Sequence, residues 1–204
     1  MKISGLQPVT ASDFPGHLAA IVFTQGCNFR CPFCHNGKLI ATGSEDIIDL
    51  DGIFTFLQKR KKLLDGLVIS GGEPCLQRGL ARFCHHVKKM GYAIKLDTNG
   101  SRPEVVRELL AEKLVDFIAM DIKAPMHRME DLTGTHLYQP QIRESISLIA
   151  ASGVEHLFRT TDVTPLLSSK DHEHIKDLVP QGSCHVVQPF VAANAMSASL
   201  RTTM

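Results

Sequence analysis

"TQGCNFRCPFCHN" (residues 24–36) gathers three of the chain's six cysteines, Cys27, Cys31 and Cys34, within eight residues. It follows directly on the apolar run "LAAIVFT" (18–24), so the thiols stand where a strand gives way to a loop. The spacing C-x3-C-x2-C offers three thiolates. A structural zinc site takes four ligands, usually as two short pairs separated by a spacer. Cys75, Cys84 and Cys184 form no such pair, and His35 adjoins Cys34 so closely that it would strain a tetrahedral site. A cubane 4Fe–4S cluster on three thiolates is chemically apt, because one iron stays open to a small molecule. Zinc, or reduced spectator thiols, are the alternatives the spacing leaves.

Outward from this loop, apolar β-rich runs alternate with helical patterns. "GLVISGG" (66–72), "YAIKLDT" (92–98), "VDFIAMDIK" (115–123), "EHLFRTT" (155–161) and "HVVQPF" (185–190) continue the strand series. Between them, "SEDIIDLDGIFTFLQKRKK" opens on Ser44 as an N-cap and closes on bases. "GLARFCHHVKKM" stops before Gly91, and "PEVVRELLAEK" starts with Pro103 in a first turn. "PQIRESISLIAAS" and "SKDHEHIKDLV" stop at Gly153 and Pro180. Six strands with intervening helices predict parallel pairing through right-handed crossovers. Strands apolar on both faces suit a sheet covered by helices. The expectation is a single domain over 1–204, with residues 1–17 as a lead-in and "AANAMSASLRTTM" as a frayed tail.

In parallel α/β barrels, chemistry gathers at the C-terminal strand ends. Here those ends read "QGCNFRCPFCHNG", "SGGEP", "DTNG", "DIKAP", "TTDVTP" and "QPF". Small, polar and thiol residues therefore share one rim. Gly71 and Gly72 let the backbone approach a ligand closely, and Glu73 either contacts it or fixes the turn. Asp97, Thr98 and Asp121 suit a hard cation, with Lys123 as a point charge for a carboxylate.

The 204 residues carry a formal charge of +1 with acids and bases mixed. That balance advertises neither a nucleic-acid groove nor an anionic membrane surface. "MKISGLQPVT" lacks the apolar core of a signal peptide. The cytoplasm is the expected compartment, where clustered cysteines more often bind metals than form disulfides.

C-x3-C-x2-C with Phe33 before its third cysteine resembles the signature of the radical S-adenosylmethionine (radical SAM) enzymes. "GGEP" (71–74) resembles their glycine-rich second-strand motif. "DTNG" (97–100) and "DIK" (121–123) resemble those of the glycyl-radical-enzyme activating enzymes. The opening "GLQPVTASDFPGHLAAIVFTQGCNFRCPFCHN" is most similar to activating proteins of anaerobic ribonucleoside-triphosphate reductase, and the similarity spans residues 3–190. It implies an α/β fold, a partial (β/α)6 barrel of parallel strands. It implies reductive SAM cleavage at a 4Fe–4S cluster on Cys27, Cys31 and Cys34, and a glycyl radical left on a partner enzyme. An electron donor such as flavodoxin or ferredoxin is implied as well. By the same resemblance Phe33 and His35 flank the adenine, Gly71, Gly72 and Glu73 receive the methionine amino group, and Asn99 joins the cofactor site. Asp121 and Lys123 contact SAM, and Asp97, Thr98 and Asp121 hold a monovalent cation.

The chain departs from that pattern at three places, one of them the fifth strand, which ends in "TTDVTP" without the Gly often found there. Cys75 stands where a Thr is expected and reads as a small buried thiol. Val191 falls near the place where some activating enzymes offer SAM a His. Arg159 is open between a site contact and a solvated base, and His85, His86, His172 and His174 are expected on exposed helix faces. The rival enzyme is a radical SAM catalyst of small-molecule chemistry, such as a deazapurine-forming synthase. The non-enzymatic rival is a zinc-binding adaptor, which leaves "GGEP", "DTNG" and "DIK" without a purpose. Only fourteen residues follow "QPF", so a partner's glycine loop is expected to close the barrel mouth.

Overall fold

In the computed structural model, which describes residues 1–41, 47–164 and 166–201, each of the six apolar runs becomes a strand. They are β2 (Ala19–Thr24), β3 (Gly66–Gly71), β4 (Ala93–Thr98), β5 (Phe117–Asp121), β6 (Glu155–Asp162) and β7 (Cys184–Pro189). All five successive pairs are parallel. A seventh strand, β1 (Ile3–Thr10), precedes them and pairs antiparallel with β2. The expected lead-in is thus a strand over this range. Its "ISGLQPVT" carries Gly5 and Pro8 and shifts register twice, which hides the alternation that would announce it. Pro8 is tolerated because β1 is an edge.

The sheet order is β1-β2-β3-β4-β5-β6-β7. Parallel strands laid down in unbroken order, each joined by a crossover of the same hand, put their helices on one face. On that face Val22, Ile69, Leu96, Ile118 and Phe158 pack against helical Leu57, Phe83, Val87, Leu109 and Ile149. The other face is concave and carries no helix layer of this kind. Phe14 closes one end of it over Ile21, Val68, Phe117 and Ala119. β1 and β7 do not pair, so the sheet stays an open, partial barrel.

The helices are α1 (Leu50–Arg60), α2 (Leu80–Lys89), α3 (Pro103–Ala111), α4 (Met129–Thr133), α5 (Gln139–Ala151), α6 (Ser169–Lys176) and α7 (Ala198–Arg201). Ser44, the expected first cap, lies outside the described residues. Ile48 bridges to Ile3 as an isolated β pair, so the first helix begins only at Leu50. Over its described residues, 192–201, the expected frayed tail packs onto the domain. Ser197 N donates to Pro32 O at 2.8 Å, Ala195 and Leu200 are buried, and the chain turns back onto the cysteine loop. No helix among the described residues is long and apolar enough to cross a membrane.

α6 begins with a capping box between Ser168 and Asp171. Arg128 donates to Asp171 Oδ2 at 2.7 Å and to Leu166 O at 2.9 Å, which ties the helix start to the turn before α4. The Ser168 backbone N–H, and then its hydroxyl and Arg128, hold the Asp171 carboxyl down to about 2. Ser168→Ala should cost ~1 kcal/mol in urea unfolding. The stability carried by Asp171 should be fully present above the ordinary aspartate value of about 3.9 and fade as pH falls through about 2. Asp171→Asn should flatten that acid limb of the stability–pH curve.

Candidate functional site

Alternation along each strand decides which side chains face the concave side. Asp97 on β4, Asp121 on β5 and Arg159 on β6 sit in the C-terminal halves of their strands, with Asp121 and Arg159 directly in register. Together with the loops after β2, β3 and β5 they line one cavity. Cys27, Cys31, Cys34, Phe33, His35, Gly71, Gly72, Glu73, Asp97, Thr98, Asn99, Asp121 and Lys123 all face it. The sequence reading did not single out Ser70, Thr161 or Gln188, which share the lining.

Backbone contacts set the cysteine loop. Gly26, at φ +96°, donates to Leu39 O at 2.6 Å and accepts from Glu73 N at 2.8 Å. A Cβ on Gly72 would stand 2.2 Å from Gly26 O, and one on Gly71 would stand 2.4 Å from Thr24 N. The glycine pair therefore admits the backbone leading into the cysteines, besides facing the cavity. From the other side Arg30 N donates to Thr133 O at the end of α4, and the Arg30 guanidinium holds Cys27 O at 2.6 Å.

Cys27 Sγ accepts from Phe29 N at 3.4 Å and from Asn99 Nδ2 at 3.9 Å. Burial pushes the Cys27 thiol up to about 11 and the Cys31 thiol up to about 12. Iron would take them as thiolates, with release of their protons. Among the described residues no three His, Cys, Asp or Glu side chains converge on a single-ion site. Three thiols spread along one cavity wall fit a cluster, which gives each its own iron, better than one zinc ion. Cys75 and Cys84 are buried elsewhere and Cys184 is exposed.

Glu73 is 0% exposed, and its carboxylate joins two loops. Oε1 accepts from Cys75 N at 2.9 Å and Thr98 Oγ1 at 2.7 Å, and Oε2 accepts from Asn99 N at 2.7 Å. Burial pushes its carboxyl up while these donors pull it back. Of the two roles weighed for Glu73, fixing the turn is the one this bonding supports. Asn99 Nδ2 also donates to Asn28 Oδ1, and Asn28 Nδ2 donates to Ser101 Oγ, so "DTNG" buttresses the cysteine loop.

The charged residues form one network. Arg159 Nε donates to Asp121 Oδ1 at 2.6 Å and Lys123 Nζ to Asp121 Oδ2 at 2.9 Å. Burial alone would push the Asp121 carboxyl up, but Arg159 and then Lys123 outweigh it and hold it well below the usual range. Ser70 Oγ donates to Asp97 Oδ2 at 3.0 Å, and Arg159 lies 3.6 Å from that oxygen. Arg159 is therefore a site residue rather than a solvated base. Lys95, absent from the sequence reading, pairs with Asp97 Oδ1. Its position two residues before Asp97 on an alternating strand was the available signal.

His35 stacks on Phe190 at 5.6 Å and its Nε2 accepts from Val191 N at 3.4 Å. Burial, and then Lys123, pull its imidazole below the usual range. Val191 is 48% exposed, so beyond β7 the chain meets the cysteine loop through a backbone N–H. His85 and His86 are exposed as expected, whereas His172 and His174 are half-buried.

Residues 21–179 match the radical SAM superfamily. A Methanocaldococcus jannaschii protein provisionally named a glycyl-radical enzyme activating enzyme is 31% identical over 95% of this chain and 81% of its own length. The pyruvate formate-lyase-activating enzyme of Listeria monocytogenes is 34% identical over 60% of this chain and 53% of its own. A 7-carboxy-7-deazaguanine synthase of Methanopyrus kandleri is 26% identical over 56% and 52%. Against this last pair the chain spans about half of the relative's length. Streptococcus suis SuiB bound to S-adenosylmethionine superposes with a TM-score of 0.67 at 13% identity, over 84% of this chain and 40% of SuiB. That likeness is one of fold. By family match, relatives and fold together, the chain belongs to the radical SAM superfamily, in the branch of the glycyl-radical-enzyme activating enzymes.

Proposed function

We propose that this chain removes a hydrogen atom from a glycine of a partner enzyme, an anaerobic ribonucleoside-triphosphate reductase, and so leaves a glycyl radical there. The observation that carries the reading is the single cavity in which three thiols meet the Asp97–Asp121–Lys123–Arg159 network at the strand ends. Cys27, Cys31 and Cys34 hold the cluster. When bound, the 4Fe–4S cluster and SAM supply one-electron cleavage of the sulfonium and a 5′-deoxyadenosyl radical that accepts the glycine hydrogen.

The chain's own residues bind and orient. Phe29 N and Asn99 Nδ2, already directed at Cys27 Sγ, ease negative charge on that sulfur. Lys123 and Arg159 receive the SAM carboxylate, and Asp121 fixes both cations and faces the amino group. Gly71 and Gly72 offer main-chain groups beside it, while Phe33 and His35 border the adenine. A radical this reactive needs water excluded, and a glycine loop, bare of side chain, brings its Cα close to the 5′ carbon. The names of the activating relatives support a glycyl-radical enzyme as the partner, and the resemblance of residues 5–36 supports the reductase. A cytoplasmic flavodoxin or ferredoxin is the electron donor of this reading. Small-molecule chemistry is the second reading, favoured by the similarity to the deazaguanine synthase.

Cys27→Ala, Cys31→Ala and Cys34→Ala should each lose iron, sulfide and visible absorption after anaerobic reconstitution. Cys75→Ser, Cys84→Ser and Cys184→Ser should retain them. Loss of the cluster in one of the second group would break the three-ligand assignment.

Asp121→Asn should leave the cluster intact and weaken SAM binding on the order of 10–100-fold, the usual loss for an orienting group behind the ligand contacts. Equilibrium dialysis with labelled SAM measures it, and an unchanged affinity would make "DIK" structural only.

With reductant, SAM and a partner deuterated at its glycine Cα, deuterium should appear in 5′-deoxyadenosine and the glycyl radical in electron paramagnetic resonance. Label passing only from a small metabolite would move the assignment to the second reading.

A further inference from the structure

Lys95 lies in the middle of β4, 3% exposed. Its registered neighbours on the concave face are Val68 on β3 and Phe117 on β5, and both belong to the apolar cluster under Phe14. A lysine in such surroundings adds nothing to stability that Met or Leu would not, since burying an ammonium is costly unless it is paired. Its ammonium reaches along the strand to Asp97 Oδ1, two residues on and on the same face. A buried charge placed deliberately under one carboxylate calls for a reason in the site above it.

The monovalent cation implied by the family resemblance does not fit the residues as they stand. Asp97 is engaged by Lys95 and Ser70, with Arg159 3.6 Å away. Asp121 has Lys123 on one oxygen and Arg159 on both. The Thr98 hydroxyl donates to Glu73 and accepts from Gly100 N. A dissolved ion approaching these oxygens would meet two ammonium groups and a guanidinium at short range, where like charges repel strongly in a poorly hydrated cavity.

We propose that Lys95 is a tethered replacement for that ion, a positioning residue whose ammonium neutralises Asp97 and sets its carboxylate for SAM. SAM binding then needs no dissolved K⁺ or Na⁺. The Lys side chain suits the role because it is a compact point charge on a flexible stem. The inference rests on the reading of the cavity as a SAM site, but its first test does not involve SAM.

The full chain, purified anaerobically, is melted without SAM in potassium, sodium or choline chloride at equal ionic strength. The wild type should melt at one temperature in all three. Lys95→Met, which fills the same space without charge, should melt about 3 °C higher in KCl or NaCl than in choline chloride, as a small ion stabilises the fold it binds. The double variant Lys95→Met/Asp97→Asn should lose that response. In equilibrium dialysis, Lys95→Met should bind SAM about 10-fold more weakly in choline chloride and regain affinity in KCl, while the wild type is indifferent to the salt. A wild type that melts higher, or binds SAM more tightly, in KCl or NaCl than in choline chloride overturns the proposal. So does a folded Lys95→Met variant with no ion response. Should that variant fail to fold, the wild-type salt series decides alone. Absence of SAM binding in every salt would count against the SAM reading, and the melting series would still judge the tethered charge.

Discussion

The site is held at the place where the backbones of two strand-end loops touch. Gly72 meets Gly26 so closely that a methyl group would stand 2.2 Å from the Gly26 carbonyl oxygen, and the next amide, Glu73 N, donates to that same oxygen. Contacts this tight act as a distance constraint, because packed interiors do not yield by an ångström without loss. The Glu73 side chain then turns inward and takes Thr98 and Asn99. In this way the loops after β2, β3 and β4 share one junction. The thiols, the glycine pair and Asn99 thus keep fixed relative positions, which a reaction at a radical centre needs if the reacting atoms are to stay aligned. A carboxylate is a costly way to link loops in a dry interior. Three donors offset that cost here, and a half-satisfied version would be worse than none.

Much of this was legible in the sequence, for reasons that differ by residue. Five of the seven strands follow helical patterns and announce themselves as apolar runs of strand length, and β2 does so before the cysteine loop. β1 did not, because Gly5, Pro8 and two register shifts blur its period. Its buried residues are Ile3 and Thr10 at the two ends, with exposed or half-buried residues between them. The C-terminal segment misled for the opposite reason. Its fixings are a backbone bond to Pro32 and the burial of two alanines and a lone Leu200, and none of these leaves a periodic mark. Cys27, Gly72 and Asp121 could be read because they stand at or just past the ends of strands, and a parallel sheet in sequential order brings all such ends to one rim. Lys95 needed one step more. A strand counted by twos puts it beneath Asp97, but its letter lies inside an apolar run where a single base passes for noise.

The concave face contains its own control. Along β3, β4, β5 and β6 the half nearer Phe14 is lined by Val68, Ala93, Phe117, Ala119 and Leu157. The half toward the cysteines carries Ser70, Asp97, Asp121, Arg159 and Thr161. The same strands, with the same alternation, thus build first an apolar core and then a charged cavity. Stability alone would continue the apolar pattern, since replacing buried ion pairs by packed hydrocarbon is often neutral or favourable. Lys95, Lys123 and Arg159 bring three positive groups to Asp97 and Asp121, and Glu73 adds a third carboxyl from the loop after β3. Charge gathered so densely at the strand ends, on a cavity that also holds three thiols, is a costly way to build a core and the ordinary way to line a binding site with a few converging polar groups.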